Sequence, residues 1–153
     1  MKLWTEVCEE LEIMDGFKRQ LCDIQGRLFE NTLKKKLDSK DFINKFMNSK
    51  TCEYFDLPYD RHQWAGEEYL LEELLDEVSV NQAGELFGRE ELYWMGFVYR
   101  AWHFLTGEDS REIYLQADVK LMKDCYPGFH TLDVAMAVED LKEISRQKKA
   151  ASF

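Results

Sequence analysis

The feature of this sequence that most constrains its fold is a helix-length run that is apolar on almost every side. Residues 91–107 read ELYWMGFVYRAWHFLTG. A helix that is hydrophobic all round must be enclosed by the rest of the protein. We therefore predict that residues 89–105 form the central helix of the fold. The near-continuous apolar run from Leu92 to Leu105 is shorter than the ~20 residues that a membrane span requires.

The rest of the chain predicts further helices and no convincing strand. Apolar residues recur three or four positions apart over residues 3–29, and similar stripes follow around 42–47, 70–78 and 134–144, which is the period of an α-helix. Two Pro and eight Gly in 153 residues leave little turn chemistry for a many-stranded sandwich or barrel. We expect residues 1–153 to form a single all-α domain, a compact bundle of six or seven helices around the central helix.

Polar caps and helix breakers give the expected helix boundaries. The expected N-caps are Ser39, Ser110, Asp118 and either Thr131 or Asp133. The proline in Asp56–Asp60 should interrupt the chain, because the residue before a proline is pushed out of the helical region. Tyr126–Gly128 is expected to be a turn. The segment that it opens, residues 126–133, is either a rigid turn packed on the core or an exposed recognition loop.

The strongest functional signal is the acidic segment from Glu67 to Glu91. It contains nine Asp or Glu and one basic residue, Arg89, so it carries -8 of the formal net charge of -10. Like charges at i, i+4 spacing destabilise a helix, and either packing of the leucine face or a basic partner must offset them. The segment is either an ordinary solvated face or a docking face for a basic protein. The predicted partner contacts are Trp64, Glu67, Glu68, Tyr69, Glu72, Glu73, Asp76 and Glu77.

A second candidate site lies on the central helix itself. On a helical wheel, Gly96, Arg100, His103 and Gly107 fall on one stripe. In one interpretation Arg100 is buried and paired with a carboxylate, and His103 satisfies a backbone group. In the other, Arg100 and His103 form a pocket that holds an anionic small molecule.

Signatures of catalysis and of metal binding are missing from the sequence. There is no GxSxG, P-loop, HExxH or GxGxxG pattern. The histidines His62, His103 and His130 are too far apart for a local zinc motif. We predict no cofactor, no metal and no intrinsic catalytic activity, with His103 structural and His62 solvated.

Charge and cysteine usage indicate the compartment and the class of partner. A pI near 4.8 disfavours general binding to nucleic acid or to an anionic membrane, since both need a basic footprint. Residues 110–122 have the cadence of a helix-turn-helix, but its second helix would present Lys120 and Lys123 together with acidic residues. Four scattered cysteines and no signal peptide predict reduced thiols in a cytoplasmic protein.

Three stretches resemble small acidic proteins encoded in bacterial mobile-element and toxin–antitoxin neighbourhoods. They are DFINKFMNSKTCEYFDLPYDRHQWAGEEYLLEELLDE, LYWMGFVYRAWHFLTGEDSREIY and CYPGFHTLDVAMAVEDL, within residues 40–144. The resemblance implies an antitoxin-like or regulatory protein that binds and neutralises a partner, possible partners being a toxin enzyme or, by phosphate mimicry, a nucleic-acid enzyme as anti-CRISPR proteins do. The alternatives are a small all-α enzyme or ligand-binding domain, and a DNA-binding regulator.

Overall fold

The computed structural model describes residues 16–151, which form eight α-helices and no strand. In chain order the helices are α1 (Gly16–Asn31), α2 (Ser39–Met47), α3 (Lys50–Asp56), α4 (Glu67–Glu77), α5 (Arg89–Thr106), α6 (Ser110–Gln116), α7 (Val119–Phe129) and α8 (Val134–Ala151). Short 3-10 turns at Thr32–Lys35 and Arg61–Trp64 follow α1 and precede α4. The predicted all-α bundle is confirmed. The first part of the helix predicted over residues 3–29 lies outside the described residues.

Helix α5 is the central helix, as its apolar sequence predicts. Ten of its eighteen residues are buried. It packs along α1 and also contacts α6, α7 and α8. Tyr99 and Trp102 are among its fully buried side chains, and burying a large apolar side chain stabilises a fold by about 1.5–3 kcal/mol. None of the helices between residues 16 and 151 combines the length and the apolar character that crossing a membrane requires.

Two glycines allow α1 and α5 to pack with their backbones in close contact. A Cβ atom on Gly96 would lie 2.5 Å from the carbonyl oxygen of Gln25, and one on Gly26 would lie 2.7 Å from the ring of Tyr93. The Gln25 side chain then donates to the Gly96 carbonyl at 2.9 Å. Gly26 lies within α1 at this crossing, where its lack of a side chain outweighs its low helix propensity.

Aspartates start the short helices, although not always at the residue predicted. Asp38, and not Ser39, accepts the N–H of the third residue of α2 at 2.8 Å. Asp109, and not Ser110, does the same for α6 at 2.9 Å. In both cases the predicted cap is the first helical residue, and its hydroxyl bonds to a different segment of the protein. Asp118 caps α7 as predicted.

A helix boundary that sequence analysis did not resolve separates α2 from α3. The Ser49 hydroxyl accepts the N–H of Cys52 at 3.0 Å and donates to the carbonyl of Phe46 at 2.6 Å. One side chain therefore ends α2 and begins α3. This division brings the described part of the chain to eight helices, one more than the upper end of the prediction.

The predicted turn at Tyr126–Gly128 is wrong, because these residues belong to α7. Pro127 lies inside the helix and is exposed. The helix continues because Tyr126 and Phe129 pack against the core, on the same face as Met122. Packing of this face outweighs the hydrogen bond that the proline nitrogen cannot donate.

Candidate functional site

The acidic residues of α4 divide into an exposed ridge and a set bonded to the rest of the protein. Glu68, Glu72 and Asp76 are exposed, and we call them the acidic ridge. Glu73 and Glu77, which are also predicted partner contacts, have internal partners instead. Two of the six carboxylates predicted to contact a partner therefore contribute to the fold.

Glu77 fixes the start of α3. Its carboxylate accepts the backbone N–H groups of Lys50 at 2.8 Å and Thr51 at 3.0 Å, and also the Thr51 hydroxyl at 2.9 Å. Burial alone would raise the pKa of Glu77, but these hydrogen bonds hold it below its usual value. A carboxylate at this position also complements the positive end of the α3 dipole.

Glu73 contacts His62. The prediction that His62 is solvated is wrong. The imidazole is held between Asp60, at 2.6 Å from Nδ1, and Glu73, at 3.2 Å from Nε2. Its ring stacks on Tyr54 with centroids 3.8 Å apart. Because Asp60 and His62 are only two residues apart, the Asp60 contact is local. The Glu73 contact ties the 3-10 turn before α4 to the helix itself.

The acidic ridge lies beside two basic residues, Lys34 and Lys35, at the end of the 3-10 turn that precedes α2. Glu68 is 3.9 Å from Lys34, and both side chains are highly exposed. Lys34 and Lys35 line a shallow depression of about 270 Å³ together with Glu68 and Glu72. Exposed ion pairs contribute only ~0–1 kcal/mol, so this contact reduces the local negative charge without fixing the ridge.

Large aromatic side chains are exposed near the start of α4. Trp64 is 67% exposed and Tyr69 is 52% exposed, and both are predicted partner contacts. Tyr59, which the sequence analysis did not select, is 90% exposed. Glu67 is half-buried in the first turn of α4. Exposed aromatics of this kind are typical of protein interfaces.

Arg100 is fully buried and paired with a carboxylate, as the first interpretation of the α5 stripe predicts. Its guanidinium donates to Asp56 at 2.6 Å, Gln25 at 2.9 Å and Ser110 at 3.2 Å, and it contacts the Cys52 sulfur at 3.4 Å. These partners come from α1, α3 and α6. The guanidinium is therefore a junction between four helices.

Asp56 is the carboxylate of this network. It also accepts the backbone N–H of Ser110 at 3.0 Å and the Ser110 hydroxyl at 2.7 Å. Its burial opposes ionisation, but the Arg100 charge and the Ser110 hydrogen bonds hold the pKa of Asp56 below its usual value. Asp56 is therefore charged at neutral pH.

His103 satisfies a backbone group, as the same interpretation predicts. Its Nδ1 lies 2.6 Å from the carbonyl oxygen of Glu108 and 3.7 Å from Asp56. Burial and the neighbouring Arg100 charge lower the pKa of His103, so the ring is neutral at pH 7. A carbonyl only accepts, hence Nδ1 carries the hydrogen and Nε2 is left as an acceptor.

An open cleft of about 470 Å³ adjoins Asp56 and His103. Its lining residues are Phe17, Lys18, Leu21, Asp56, Leu57, Pro58, Tyr59, Trp64, His103 and Phe104. Arg100 is fully buried and is not among these residues, and its N–H groups are directed to the four partners named above. The prediction that Arg100 and His103 form a pocket together is therefore wrong for Arg100. His103 lines the cleft with Asp56 and several aromatic side chains.

The described thiols are poor nucleophiles. Cys22, Cys52 and Cys125 are free, and Cys22 and Cys52 are buried. Burial raises the pKa of Cys22 to about 12 and that of Cys52 to about 11, so both stay protonated at neutral pH. Within residues 16–151, no group of three His, Cys, Asp or Glu side chains is placed to hold a metal ion.

The helix-turn-helix interpretation loses part of its basic surface. Lys123 on α7 bonds to Glu91 at 2.6 Å, and its Nζ lies 4.7 Å from the centre of the Phe87 ring. Lys120 is exposed, and Asp118 caps the same helix. A recognition helix with this charge balance has little attraction for phosphates.

Comparisons of this chain with protein-family models, with characterised proteins and with solved structures found no match. Two surfaces of the described residues are candidates for function: the acidic ridge with its exposed aromatics, and the cleft beside Asp56 and His103.

Proposed function

We propose that this protein is a cytoplasmic interaction module that binds a basic partner protein and neutralises it, as a bacterial antitoxin does. It acts by binding and not by catalysis. The observation that carries the proposal is the pairing of an exposed acidic ridge with exposed aromatic side chains around the same helix. Trp64 lies just before α4, and Tyr69 lies in the first turn of α4, from which the ridge extends.

The carboxylates of the acidic ridge have no strong contact within the described part of the protein. Within residues 16–151, the carboxylates of Glu72 and Asp76 form no ion pair or hydrogen bond shorter than the usual limits, and Glu68 has only its distant contact with Lys34. A basic surface that approaches the ridge therefore gains attraction without having to break a strong internal bond. Such charges raise the rate of association and make it dependent on salt.

The exposed aromatic side chains can provide the binding affinity that the charges of the ridge do not. Buried aromatic anchors dominate the affinity of most interfaces, whereas charges at the rim mainly set the association rate. Large apolar side chains left in water by the fold, such as Trp64 and Tyr69, are available for such burial. The proposal thus assigns steering to the ridge and affinity to the aromatics.

The test is association with the products of the genes adjacent to the one that encodes this chain. We expect one of them to be toxic when expressed alone and to be neutralised by co-expression. Surface plasmon resonance at several salt concentrations then compares the wild type with Glu68→Lys/Glu72→Lys/Asp76→Lys. The association rate should fall about tenfold or more at low salt, with a smaller change in dissociation.

A matched control has the same type of change at acidic positions on other helices. Glu112 on α6, Asp124 on α7 and Glu143 on α8 are exposed, so Glu112→Lys/Asp124→Lys/Glu143→Lys alters the net charge by the same amount without touching α4. An association rate that falls equally in both variants would show that only net charge matters. A rate unchanged in the ridge variant would remove α4 from the interface.

A nucleic-acid enzyme is a second class of partner that suits the same ridge. Its substrate groove is basic, and carboxylates spaced along a helix can occupy phosphate positions in it. The discriminating measurement is inhibition of a neighbouring nuclease in a purified cleavage assay. Inhibition that is relieved by excess nucleic acid supports mimicry, whereas neutralisation of a partner that binds no nucleic acid supports the antitoxin assignment.

A further inference from the structure

The floor of the cleft offers hydrogen-bond acceptors. The Nδ1–H of His103 is used by the Glu108 carbonyl, so the ring can only accept at Nε2. Within the described residues no hydrogen bond engages that Nε2 atom. Because His103 lines the cleft, this nitrogen lone pair is the acceptor that its ring can offer there.

Asp56 supplies the second acceptor. Its Oδ1 atom accepts from both Arg100 and the Ser110 hydroxyl, whereas Oδ2 accepts only the Ser110 N–H. The side chain is 12% exposed and lines the cleft. A carboxylate oxygen has two lone pairs, so Oδ2 retains capacity for one donor.

The walls of the cleft are aromatic and suit a planar cation. Phe17 and Trp64 contact each other with ring centroids 4.8 Å apart, and Phe104 and Tyr59 complete the aromatic lining. The Nζ atom of Lys18 already lies 5.7 Å from the centre of the Phe104 ring. The cleft therefore already contains one contact between a cation, Lys18, and an aromatic ring, that of Phe104.

We propose that the cleft is the socket for one arginine side chain of the basic partner, an inference that rests on the proposed function above. A guanidinium is planar, stacks on aromatic rings and carries five N–H donors in a fixed plane. It can therefore stack on Trp64 while it donates to His103 Nε2 and Asp56 Oδ2. On the floor of the cleft an anionic ligand would instead meet a carboxylate and a lone pair, and among the lining residues Lys18 alone would attract it.

Charge complementarity supports an arginine from a protein over a free cation. Glu67, the first residue of the acidic segment, lies three positions after Trp64, and residues 67–91 contain nine acidic residues in all. A basic segment that is attracted by the ridge and extends past the start of α4 therefore reaches Trp64, which lines the cleft. A lysine would supply the charge but neither the plane nor the paired donors.

The experiment titrates the full chain with N-acetyl-L-arginine amide and follows the Trp64 indole N–H signal by NMR. Trp64→Ala identifies the signal. We expect a saturable shift in the millimolar range, and binding at least about fivefold weaker for the neutral isostere N-acetyl-L-citrulline amide. The His103 imidazole signals should shift with the same dissociation constant.

Two variants keep the outcome interpretable. Trp64→Ala changes an exposed residue. This variant should bind the arginine probe about fivefold or more weakly than the wild type, as followed by the His103 imidazole signals. Tyr69→Ala, an exposed aromatic on α4 that does not line the cleft, should bind the arginine probe as the wild type does. Equal binding of citrulline, or equal loss in both variants, would overturn the inference.

The two proposals fail separately. A neighbouring gene product that still associates through the ridge, while the arginine probe leaves His103 and Trp64 unmoved, refutes the socket alone. A cleft that binds the arginine probe in a protein whose ridge variant associates normally refutes the docking role of the ridge alone.

Discussion

Replacing Arg100 tests the buried junction on which the cleft depends. Arg100→Ala leaves Asp56 with its two hydrogen bonds from Ser110 but without its counter-charge, and it leaves the Gln25 side-chain oxygen without its donor. Removing one partner of a buried ion pair destabilises a protein by about 3–5 kcal/mol. For a chain of this size, each kcal/mol lowers the Tm by roughly 2–4 °C. The expected fall in Tm is therefore roughly 6–20 °C.

The assays are thermal denaturation for Tm and urea denaturation for the free energy of unfolding, both followed by circular dichroism at 222 nm, with Arg89→Ala as the matched control. Arg89 lies on the same helix, but it is 78% exposed and 3.3 Å from Glu30, so its loss should change the free energy of unfolding by less than about 1 kcal/mol. The double variant Arg100→Ala/Asp56→Asn should lose less free energy of unfolding than the two single variants lose together, by about 0.5–3 kcal/mol. Equal effects of the two arginine variants, or full additivity, would refute the argument for a coupled pair.

Two further predictions concern packing and pH. Gly96→Ala should lower the free energy of unfolding by about 1–3 kcal/mol in the same denaturation assay, since its Cβ meets backbone atoms of Gln25 and Gly26 that cannot rotate away. Gly128→Ala has open space in α7 and should instead stabilise by up to ~1 kcal/mol, so equal effects would contradict the close crossing. Partial burial would raise the pKa of Glu108, but hydrogen bonds from Lys142 and Trp102 lower it from 4.5 to about 2. Its stabilisation is therefore complete above pH 4.5 and is lost as the pH falls towards 2; unfolding curves of the wild type and Glu108→Gln should converge over this range, and a constant gap would contradict it.

The parts of the fold that follow from local pattern could be predicted from the sequence. The central position of α5 follows from its apolar surface, and the buried leucines of α4 follow from their helical spacing. The burial and pairing of Arg100 were one of two interpretations that the sequence allowed, because a buried guanidinium needs a carboxylate partner. Each of these conclusions needs only residues within one helix.

The parts that depend on distant segments could not be predicted. Asp56, the partner of Arg100, is 44 positions away, and nothing in its own neighbourhood distinguishes it from the other carboxylates. The exposure of Tyr59 and the packing of α7 through Pro127 are likewise decided by which surfaces meet in the folded chain. The cleft combines α1, α3 and α5, so its residues become neighbours only after the bundle forms.

The repulsion between like charges on α4 is offset within the protein, which bears on how the ridge can act. Glu77 accepts three hydrogen bonds at the start of α3, and Glu73 bonds to His62. With Leu70, Leu71 and Leu74 buried on the opposite face, these contacts stabilise α4 without any partner. The helix therefore presents the acidic ridge already ordered, and a partner need not supply the free energy to fold it. A preformed ridge of this kind favours fast association governed by charge.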